Sequence, residues 1–371
     1  MIRFLAAMAD ALTRLFADKG ARMTMIVSIL IYACLYPQPY AGEVVRDIPI
    51  AVIDQDGSTA SRAFLRRLDS SDSVAIAAVV DAMPQAERMY FARDVFGIVL
   101  IPDNFERDLL AGDPAPIAAF GDGSYFVLYG GLTTAVNSVA QELGGQVRFA
   151  RLTATGADQA TAAALVSPIS IASVPLFNPT GGYASYLVPA AFVLILQQTL
   201  LMGIGIMHAG RPTRPGVARL ATPTAYVLLY LMWIGATQIL LPRIYGLPTL
   251  GDPLTLFALS LPFLIAVTAM GFALIQVINT REGVVFFLVV QGMPLFFVSG
   301  VAWPLESIAE PMRTLMLLFP STSAVLAFIQ IDQMGADLHQ ILPALRLQGI
   351  LAVIYGALAI VLHRWRHPRA G

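Results

Sequence analysis

The side chains able to carry out acid–base, nucleophilic or metal chemistry are few in this chain of 371 residues. Its histidines and its single cysteine are His208, His339, His363, His367 and Cys34. Their spacing forms no catalytic triad and no zinc or haem pattern. A phosphate-cradling loop GxxxxGK(S/T) needs a lysine followed by Ser or Thr, but the only lysine, Lys19, is followed by Gly20. The sequence therefore predicts no catalytic site and no ATP hydrolysis by this chain alone.

Two carboxylates, Asp54 and Asp56, stand closest to a metal-binding or catalytic pattern. They follow the apolar stretch 48–53 and precede Gly57. Asp-x-Asp-Gly after a strand is typical of a turn that also caps the next helix, and no third carboxylate or histidine stands at ligand spacing. We therefore predict a turn, with a metal site as the alternative, and we expect no metal or cofactor in this chain.

The elements around these residues lie mostly in a membrane. Mean hydropathy is +0.70, and 13% of the residues are charged, whereas soluble proteins have about 25%. Six uncharged stretches are long enough to cross about 30 Å of hydrocarbon as helices. These predicted spans are residues 23–40, 186–207, 224–241, 254–278, 284–301 and 347–362. The first stretch has a cleaved signal peptide or a lipoprotein signal at Cys34 as its alternative, but the long segment before it and Tyr32 argue against cleavage.

Arginine and lysine residues at the ends of the spans predict the orientation. They cluster in the N-terminal segment, in the loop after the second span and at the C-terminus. Six spans put these three segments on one side, which the positive-inside rule makes the cytoplasm. We predict a multi-pass membrane protein with both termini in the cytoplasm. The net charge of −1 and the scattered arginines give no basic face, so nucleic acid is not an expected partner.

The long segment between the first two spans has the composition of a soluble domain. Its predicted strands cover residues 48–53, 74–80, 96–101 and 117–120. Its predicted helices cover residues 58–68, 83–92 and 104–111, followed by a long helix or helix pair from 130 to about 164. Strands that alternate with helices indicate an α/β domain. We expect this domain on the periplasmic side.

Together these elements predict an α-helical polytopic membrane protein of six spans, in a 1+5 arrangement, with an inserted α/β periplasmic domain. The predicted parts are a cytoplasmic interfacial helix (1–20), a first transmembrane helix (21–41), the periplasmic domain (42–179) and a five-helix bundle (180–371) with a re-entrant segment near 301–322. The interfacial helix is amphipathic. Its apolar stripe consists of Phe4, Leu5, Met8, Leu12 and Leu15.

Amides are the main polar groups inside the predicted spans. They are Gln197, Gln198, Gln238, Gln276 and Gln291. Ion-driven carriers usually hold a charged residue or a histidine within a span, and the middles of spans two to six have no carboxylate or ammonium group. Interhelical hydrogen bonding is the favoured interpretation of each amide, with contact to a transported substrate as the alternative. The energy for any transport is therefore expected from another chain.

The order of segments and three sequence strings resemble the permease subunits of ABC-2 type exporters, especially the bacterial branch with a large periplasmic insertion. The strings are IPIAVIDQDGSTASRAFLRRL, FGIVLIPDNFERDLLAG and VSGVAWPLESIAEPMRTLMLLFPST. The resemblance covers essentially the whole chain, and the third string is its most specific part. It implies ATP-driven efflux of a hydrophobic or amphipathic compound, such as a drug, a lipid or an envelope component. Multidrug efflux is among the implied functions.

The resemblance also implies roles for short segments. A separate ABC ATPase subunit, which would hold ATP and Mg²⁺, docks on the N-terminal helix and on the loop with Arg211, Arg214 and Arg219. Short helices after the fifth span form an outer gate. The implied gate residues are Trp303, Pro304, Glu306, Pro311 and Pro320. Attraction to lipid headgroups is the alternative for the arginines, and a solvated helix face is the alternative for Glu306.

The implied assembly has two permease chains, identical or different, around a central path, with two ATPases beneath them. The inserted domain suggests handover of the substrate to a periplasmic adaptor protein. The alternative function is that of a membrane-anchored receptor or secretion-apparatus component without transport of its own. Some such proteins share the 1+5 layout, although their external domains are typically far longer.

Overall fold

The chain forms two compact units, which are described separately. The computed structural model describes residues 1–40, 45–169, 176–178, 182–212, 216–301 and 305–366. One unit contains Met1–Glu43 and Pro175–Gly371 and carries the six candidate membrane spans found among the described residues. The other unit, Val44–Val174, is the inserted domain.

The chain begins with an amphipathic helix, α1 (Ile2–Ala17), which packs against the third span and ends at Asp18. The Asp18 side chain then caps the next helix by accepting a hydrogen bond from the Ala21 N–H at 3.0 Å. The first span, Lys19–Tyr40, is built from α2 (Lys19–Arg22), a π-helical turn (Met23–Val27), α3 (Ser28–Leu35) and a 3-10 turn (Gln38–Tyr40). The first predicted membrane helix is therefore confirmed.

Four strands form one mixed sheet in the inserted domain. They are β1 (Ile48–Asp54), β2 (Val74–Val79), β3 (Gly97–Ile101) and β4 (Ala118–Gly121). The strand order is β2-β1-β3-β4, with β1 parallel to both neighbours and β4 antiparallel to β3. Because β1 is central and covered on both faces, its sequence is a nearly continuous apolar run. The predicted α/β pattern is confirmed as a small four-stranded sheet.

Helices cover both faces of this sheet. The helices of the domain are α4 (Thr59–Asp69), α5 (Met83–Phe91), α6 (Phe105–Ala111), α7 (Phe126–Ala154) and α8 (Gln159–Val166). Helices α4, α6 and α7 enclose the larger core, in which Phe64 and Leu132 are fully buried. Helix α5 covers the other face with Ala86. Of the two predicted forms of the segment after residue 130, the structure has a helix pair.

The remaining helices form a bundle. They are α9 (Tyr183–His208), α10 (Ala218–Ile234) with a π-helical turn (Gly235–Leu240) and α11 (Leu241–Tyr245), α12 (Pro253–Val277), α13 (Arg281–Val298), α14 (Glu310–Met316), α15 (Pro320–Met334) and α16 (Leu342–Arg366). Spans two to six are α9, the α10–α11 helix, α12, α13 and α16, as predicted. Helix α9 is largely enclosed by other helices, whereas α13 and α16 are mostly exposed.

Between α13 and α16 the chain forms a bent helix pair. Helices α14 and α15 meet at an angle of 91°. Helix α15 packs on α9, α12 and α16 and is buried over most of its length. The sequence predicts a helix from Pro311 and a break at Pro320, and the chain does bend there. However, Pro320 also begins α15, a helix that the sequence analysis missed because its polar first turn breaks the apolar run.

Candidate functional site

Helix α1 buries one side and exposes the other. Its buried or half-buried large apolar residues are Phe4, Met8, Leu12 and Leu15. Leu5, the fifth residue of the predicted stripe, is 56% exposed, next to exposed Ile2. The buried side packs on α10, so the helix is held by the bundle and still offers an apolar surface. That surface fits the predicted interfacial position.

Asp18, between α1 and the first span, joins three segments through ion pairs. Its carboxylate lies 3.6 Å from Arg211 Nη2, in the loop after α9. It also lies 3.7 Å from Nη2 of Arg281, the first residue of α13. We call Asp18, Arg211 and Arg281 the Asp18 cluster. The cluster connects the N-terminal helix, the loop expected to contact an ATPase and the fifth span.

Electrostatics and a close approach both shape the Asp18 cluster. The hydrogen bond from the Ala21 N–H, with help from the guanidinium groups of Arg281 and Arg211, lowers the pKa of Asp18 from its ordinary value of 3.8 despite partial burial. Gly20 leaves room for Arg281, because a Cβ at position 20 would lie 1.9 Å from Arg281 Nη2. Any side chain there would displace the guanidinium group.

The basic segments come together at the end of the bundle that carries Asp18. Arg219 Nη2 lies 3.4 Å from His363 Nε2 on α16, and Arg366 donates a hydrogen bond to the Val277 carbonyl at 3.3 Å. Of the three arginines predicted for ATPase contact, Arg211 and Arg219 therefore lie at this end, and Arg214 lies outside the described residues.

Two of the five predicted bundle amides tie helices together. Gln197 Oε1 on α9 accepts a hydrogen bond from the Ser321 N–H of α15 at 2.8 Å. Gln238 Nε2 donates to the Pro189 carbonyl at 3.0 Å. Both amides are buried, and their bonds fit interhelical hydrogen bonding. Each still has one atom, Nε2 of Gln197 and Oε1 of Gln238, without a partner among the described residues.

Gln198 and Gln291 differ from these two amides. All four of their amide oxygen and nitrogen atoms are buried without a hydrogen-bond partner in the described part of the chain. Gln198 Nε2 lies 3.4 Å from the position that a Cβ on Gly292 would occupy, so this amide faces α13 next to Gln291. We call Gln198 and Gln291 the α9–α13 amide pair. Gln276, the fifth predicted amide, is half-buried near the end of α12.

The residues predicted for an outer gate lie on a partly described segment. Trp303 and Pro304 fall outside the described residues. Glu306 is exposed in a 3-10 turn, and Pro311 is exposed in the first turn of α14. Pro320 is buried at the start of α15. The structure thus separates an exposed part of the proposed gate from a buried part.

A comparison with known protein families identifies the family of this chain. Residues 19–361, nearly the whole chain, match the family described as ABC-2 family transporter protein. The chain belongs to this ABC-2 family. No curated protein and no solved structure matches it significantly.

As an ABC-2 permease, the chain is a multi-pass membrane component of a transporter. Permeases of this family have no ATPase domain of their own and pair with separate ATPase subunits in a transporter complex. They are cofactor-free membrane subunits. The resemblance seen in the three sequence strings is therefore confirmed.

Some polar contacts of the permease were missed by sequence reasoning. Pro189, inside α9, lacks the N–H that would bond the Ser185 carbonyl. Gln333 Nε2 of α15 donates to that carbonyl at 2.7 Å. A proline within an apolar helix was the available signal, because a carbonyl freed inside a membrane protein must find another donor.

The ABC-2 permease also buries a carboxyl group that sequence reasoning did not consider. Asp332, near the end of α15, is 2% exposed, and its Oδ2 has no partner among the described residues. Its backbone carbonyl accepts a hydrogen bond from the Leu250 N–H at 2.8 Å. Because Asp332 lies on the bent helix pair, the prediction that the middles of spans two to six lack carboxylates still holds.

In the inserted domain of the permease, Asp54 and Asp56 organise a turn. Asp54 Oδ1 accepts the N–H groups of Asp56 and Gly57, and Asp54 Oδ2 accepts the Ser61 hydroxyl at 2.8 Å. Asp56 Oδ2 accepts the Glu106 N–H at 3.1 Å. These oxygens are used within the domain, as a turn requires. In the described part of the chain, no three His, Cys, Asp or Glu side chains are placed to hold a metal ion.

Proposed function

We propose that this ABC-2 permease is the membrane subunit of an ATP-driven exporter in a bacterial inner membrane. It moves a hydrophobic or amphipathic compound, such as a drug, a lipid or an envelope component, out of the cytoplasm or the inner membrane. The Asp18 cluster and both termini face the cytoplasm, and the inserted domain faces the periplasm. The observation that carries the proposal is the Asp18 cluster, because it joins the two expected ATPase-contact segments to the fifth span.

The Asp18 cluster gives ATP-driven movement a direct route to α13. An ATPase that displaces α1 or the loop after α9 would move Asp18 or Arg211, and the ion pair transmits this movement to Arg281. Arg281 starts α13, whose first turn is capped by Thr280. Since α13 is mostly exposed and packs chiefly on α9, a movement of α13 changes the contact between α9 and α13 and leaves the rest of the bundle packed.

The polar groups of the bundle support a neutral or amphipathic substrate. The α9–α13 amide pair offers four hydrogen-bonding atoms that the described residues leave unsatisfied. An unsatisfied buried group costs about 1–3 kcal/mol. A substrate that passes between α9 and α13 would recover this free energy. Neither α9 nor α13 has a carboxylate or ammonium group in its middle, so the path between these two helices lacks the kind of group that usually couples transport to an ion gradient.

The exposed side of α13 supports pairing with a second permease chain. Large apolar side chains that are more than half exposed recur there at spacings of four, three and four residues. They are Phe286, Val290, Met293 and Phe297. This stripe faces lipid in the single chain, and its Phe and Met side chains are available for van der Waals packing against another membrane helix. An identical chain or a related one would fit, and the inserted domain would hand the substrate to a periplasmic adaptor protein.

Copurification tests the proposal. The permease is expressed with the ATPase encoded beside it, and ATP hydrolysis is measured in lipid nanodiscs. We expect a complex whose activity is lost when the loop 211–219 is scrambled. Arg243→Gln, an exposed arginine of α11, is the control and should leave activity unchanged. If no P-loop protein binds and the scrambled loop has no effect, the exporter proposal fails and the receptor alternative takes its place.

Cysteine labelling tests the orientation. Cys34 is the only cysteine, so Cys34→Ala gives a cysteine-free background. Thr13→Cys on α1 and Ser70→Cys in the inserted domain then introduce single exposed thiols. In spheroplasts, a membrane-impermeant maleimide should label Ser70→Cys, and it should label Thr13→Cys only after permeabilisation. The reverse pattern would invert the proposed topology.

A further inference from the structure

The first turn of α15 contains buried polar atoms that the described chain leaves without partners. The hydroxyl groups of Ser321 and Thr322 are buried and have no hydrogen-bond partner among the described residues. The same holds for Nε2 of Gln197, on α9, and for Oε1 of Gln348, on α16. We call Gln197, Ser321, Thr322 and Gln348 the α15 cradle.

The two amides are fixed against this turn by their other ends. Gln197 Oε1 accepts the Ser321 N–H at 2.8 Å. Gln348 Nε2 donates to the Pro320 carbonyl at 2.7 Å and to Ser323 Oγ at 2.9 Å. The unpartnered end of each amide is therefore held at the same helical turn as the two unpartnered hydroxyl groups. The side chains of the cradle are 0% exposed.

The α15 cradle lies deep in the bundle. Gln197 is near the middle of α9, a helix of 26 residues, and all four cradle residues are enclosed by the bundle. The start of α15 adds the partial positive charge of a helix N-terminus. Helix ends within a membrane bundle are places where transporters bind polar groups.

We propose that the α15 cradle binds a neutral hydroxyl group. Gln197 Nε2 offers donors, Gln348 Oε1 offers an acceptor, and the hydroxyl groups of Ser321 and Thr322 can do either. A hydroxyl group both donates and accepts, so it can bond to either kind of atom in this set. A phosphate or carboxylate would find no cationic side chain in the cradle, and an ammonium group would find no carboxylate. This O–H group is supplied either by an ordered water molecule or by the alcohol group of an amphipathic substrate.

The sign of a stability change tests whether the cradle is occupied. Thr322→Val removes the hydroxyl group and keeps the side-chain shape. If that hydroxyl group has a bound partner, the unfolding temperature of the full-length permease in nanodiscs should fall by about 2–4 °C. If it is truly unsatisfied, its removal should leave stability unchanged or raise it, and the proposal is overturned. Ser321→Ala carries the same test if Thr322→Val does not fold.

A matched control comes from α12. Thr268 also has a buried hydroxyl group without a partner among the described residues, and it lies outside the α15 cradle. Thr268→Val should therefore leave the unfolding temperature unchanged or raise it. A fall of equal size for Thr268→Val and Thr322→Val would overturn the assignment of a specific site to α15.

Alcohol probes separate the two sources of the hydroxyl group. ATP hydrolysis by the intact permease–ATPase complex is measured with 1-octanol, octyl phosphate and octylammonium. A response to 1-octanol that Thr322→Val reduces several-fold, and Thr268→Val does not, assigns the cradle to a substrate alcohol. Loss of stability in Thr322→Val with an unchanged octanol response assigns it to water. A Thr322-dependent response to octyl phosphate or octylammonium would overturn the choice of a neutral group.

The two measurements fail independently. The alcohol responses rest on the proposed export function and on a bound ATPase. The unfolding measurement needs only the permease. A destabilised Thr322→Val variant in a protein that shows no transport would therefore support the site and contradict the proposed export function. Unchanged stability of Thr322→Val in a protein that does transport would contradict the site and support the export function.

Discussion

The carboxylate of Asp18 lies 3.7 Å from the guanidinium group of Arg281, so the start of the first span contacts the start of the fifth. The same carboxylate caps α2 and lies 3.6 Å from Arg211. The Asp18 side chain is 20% exposed and that of Arg281 is 39% exposed, and partly exposed ion pairs contribute about 1 kcal/mol or less to stability. The importance of this contact therefore lies in which segments it connects.

Reversing the charge of Asp18 should uncouple the permease from its ATPase. Asp18→Arg brings three arginines together, so repulsion replaces both ion pairs of the Asp18 cluster. We expect coupled ATP hydrolysis and transport to fall about tenfold, which corresponds to about 1.4 kcal/mol. Adding Arg281→Asp recreates an opposite-charge pair and should restore part of the activity. Both variants lack the helix cap that Asp18 provides, so the difference in activity between them measures the effect of the ion pair. A double variant no better than Asp18→Arg would contradict this role.

The lowered pKa of Asp18 fixes the pH range in which its charge stabilises the fold. Because its pKa is lower in the folded state, this stabilisation is present above the ordinary value of 3.8 and is lost as pH falls through the folded pKa. Asp18→Asn keeps a capping oxygen and removes the charge. The difference in unfolding temperature between the parent and Asp18→Asn should stay constant between about pH 7 and 5 and shrink below about pH 4. If the difference in unfolding temperature already shrank at about pH 6, the charge of Asp18 would not be its source.

Gly20 should be required for the ion pair rather than for helix formation. Gly20→Ala places a Cβ where Arg281 now lies, and displacing Arg281 should cost as much as Arg281→Gln does, about 1 kcal/mol or less. Alanine within α2 also gains about 0.5–1 kcal/mol of helix stability over glycine, so the loss is measured relative to Gly349→Ala, which has the same gain. In an Arg281→Gln background the difference between Gly20→Ala and Gly349→Ala should vanish. Gly349→Ala, on a helix surface with no atom within 4 Å, should be neutral or stabilising. Additive losses from Gly20→Ala and Arg281→Gln would refute the steric explanation.

Much of this fold could be predicted because the signals are local. Long uncharged runs reveal the spans, and alternating strand and helix patterns reveal the inserted domain. Helix α15 could not be predicted, since the burial of its polar first turn depends on Gln197 and Gln348, which are distant in sequence. The role of Asp18 was hidden for the same reason. In the sequence it is simply a charged residue that follows the apolar stripe of α1, and its partner Arg281 begins a different span.

The turn at Asp54 should stabilise the inserted domain without a metal ion. Asp54→Ala leaves the N–H groups of Asp56 and Gly57 and the Ser61 hydroxyl without their acceptor. We expect a loss of about 1–3 kcal/mol, measured by thermal unfolding of the full chain. Asp54→Asn keeps one oxygen and should lose less. Asp103→Ala, an exposed control, should stay within about 0.5 kcal/mol of the parent.

Chelation separates the turn from the alternative metal site. EDTA should leave the unfolding temperature of the parent unchanged, because backbone N–H groups and Ser61 already satisfy the Asp54 oxygens. A drop on adding EDTA that Asp54→Ala abolishes would support a bound metal ion instead.

The first span should depend on Gly203 of α9 for its place in the bundle. A Cβ on Gly203 would lie 2.2 Å from Met25 Sδ, and Met25 is fully buried, with its carbonyl accepting a hydrogen bond from Trp233 Nε1 at 3.1 Å. Gly203→Ala should therefore force Met25 aside and cost about 1–3 kcal/mol. Met25→Ala opens the space, so adding it to Gly203→Ala should cost less than the sum of the two single changes. Thermal unfolding of the four proteins gives this coupling directly. Strictly additive losses would mean that contacts other than the one between Met25 and Gly203 hold the first span in the bundle.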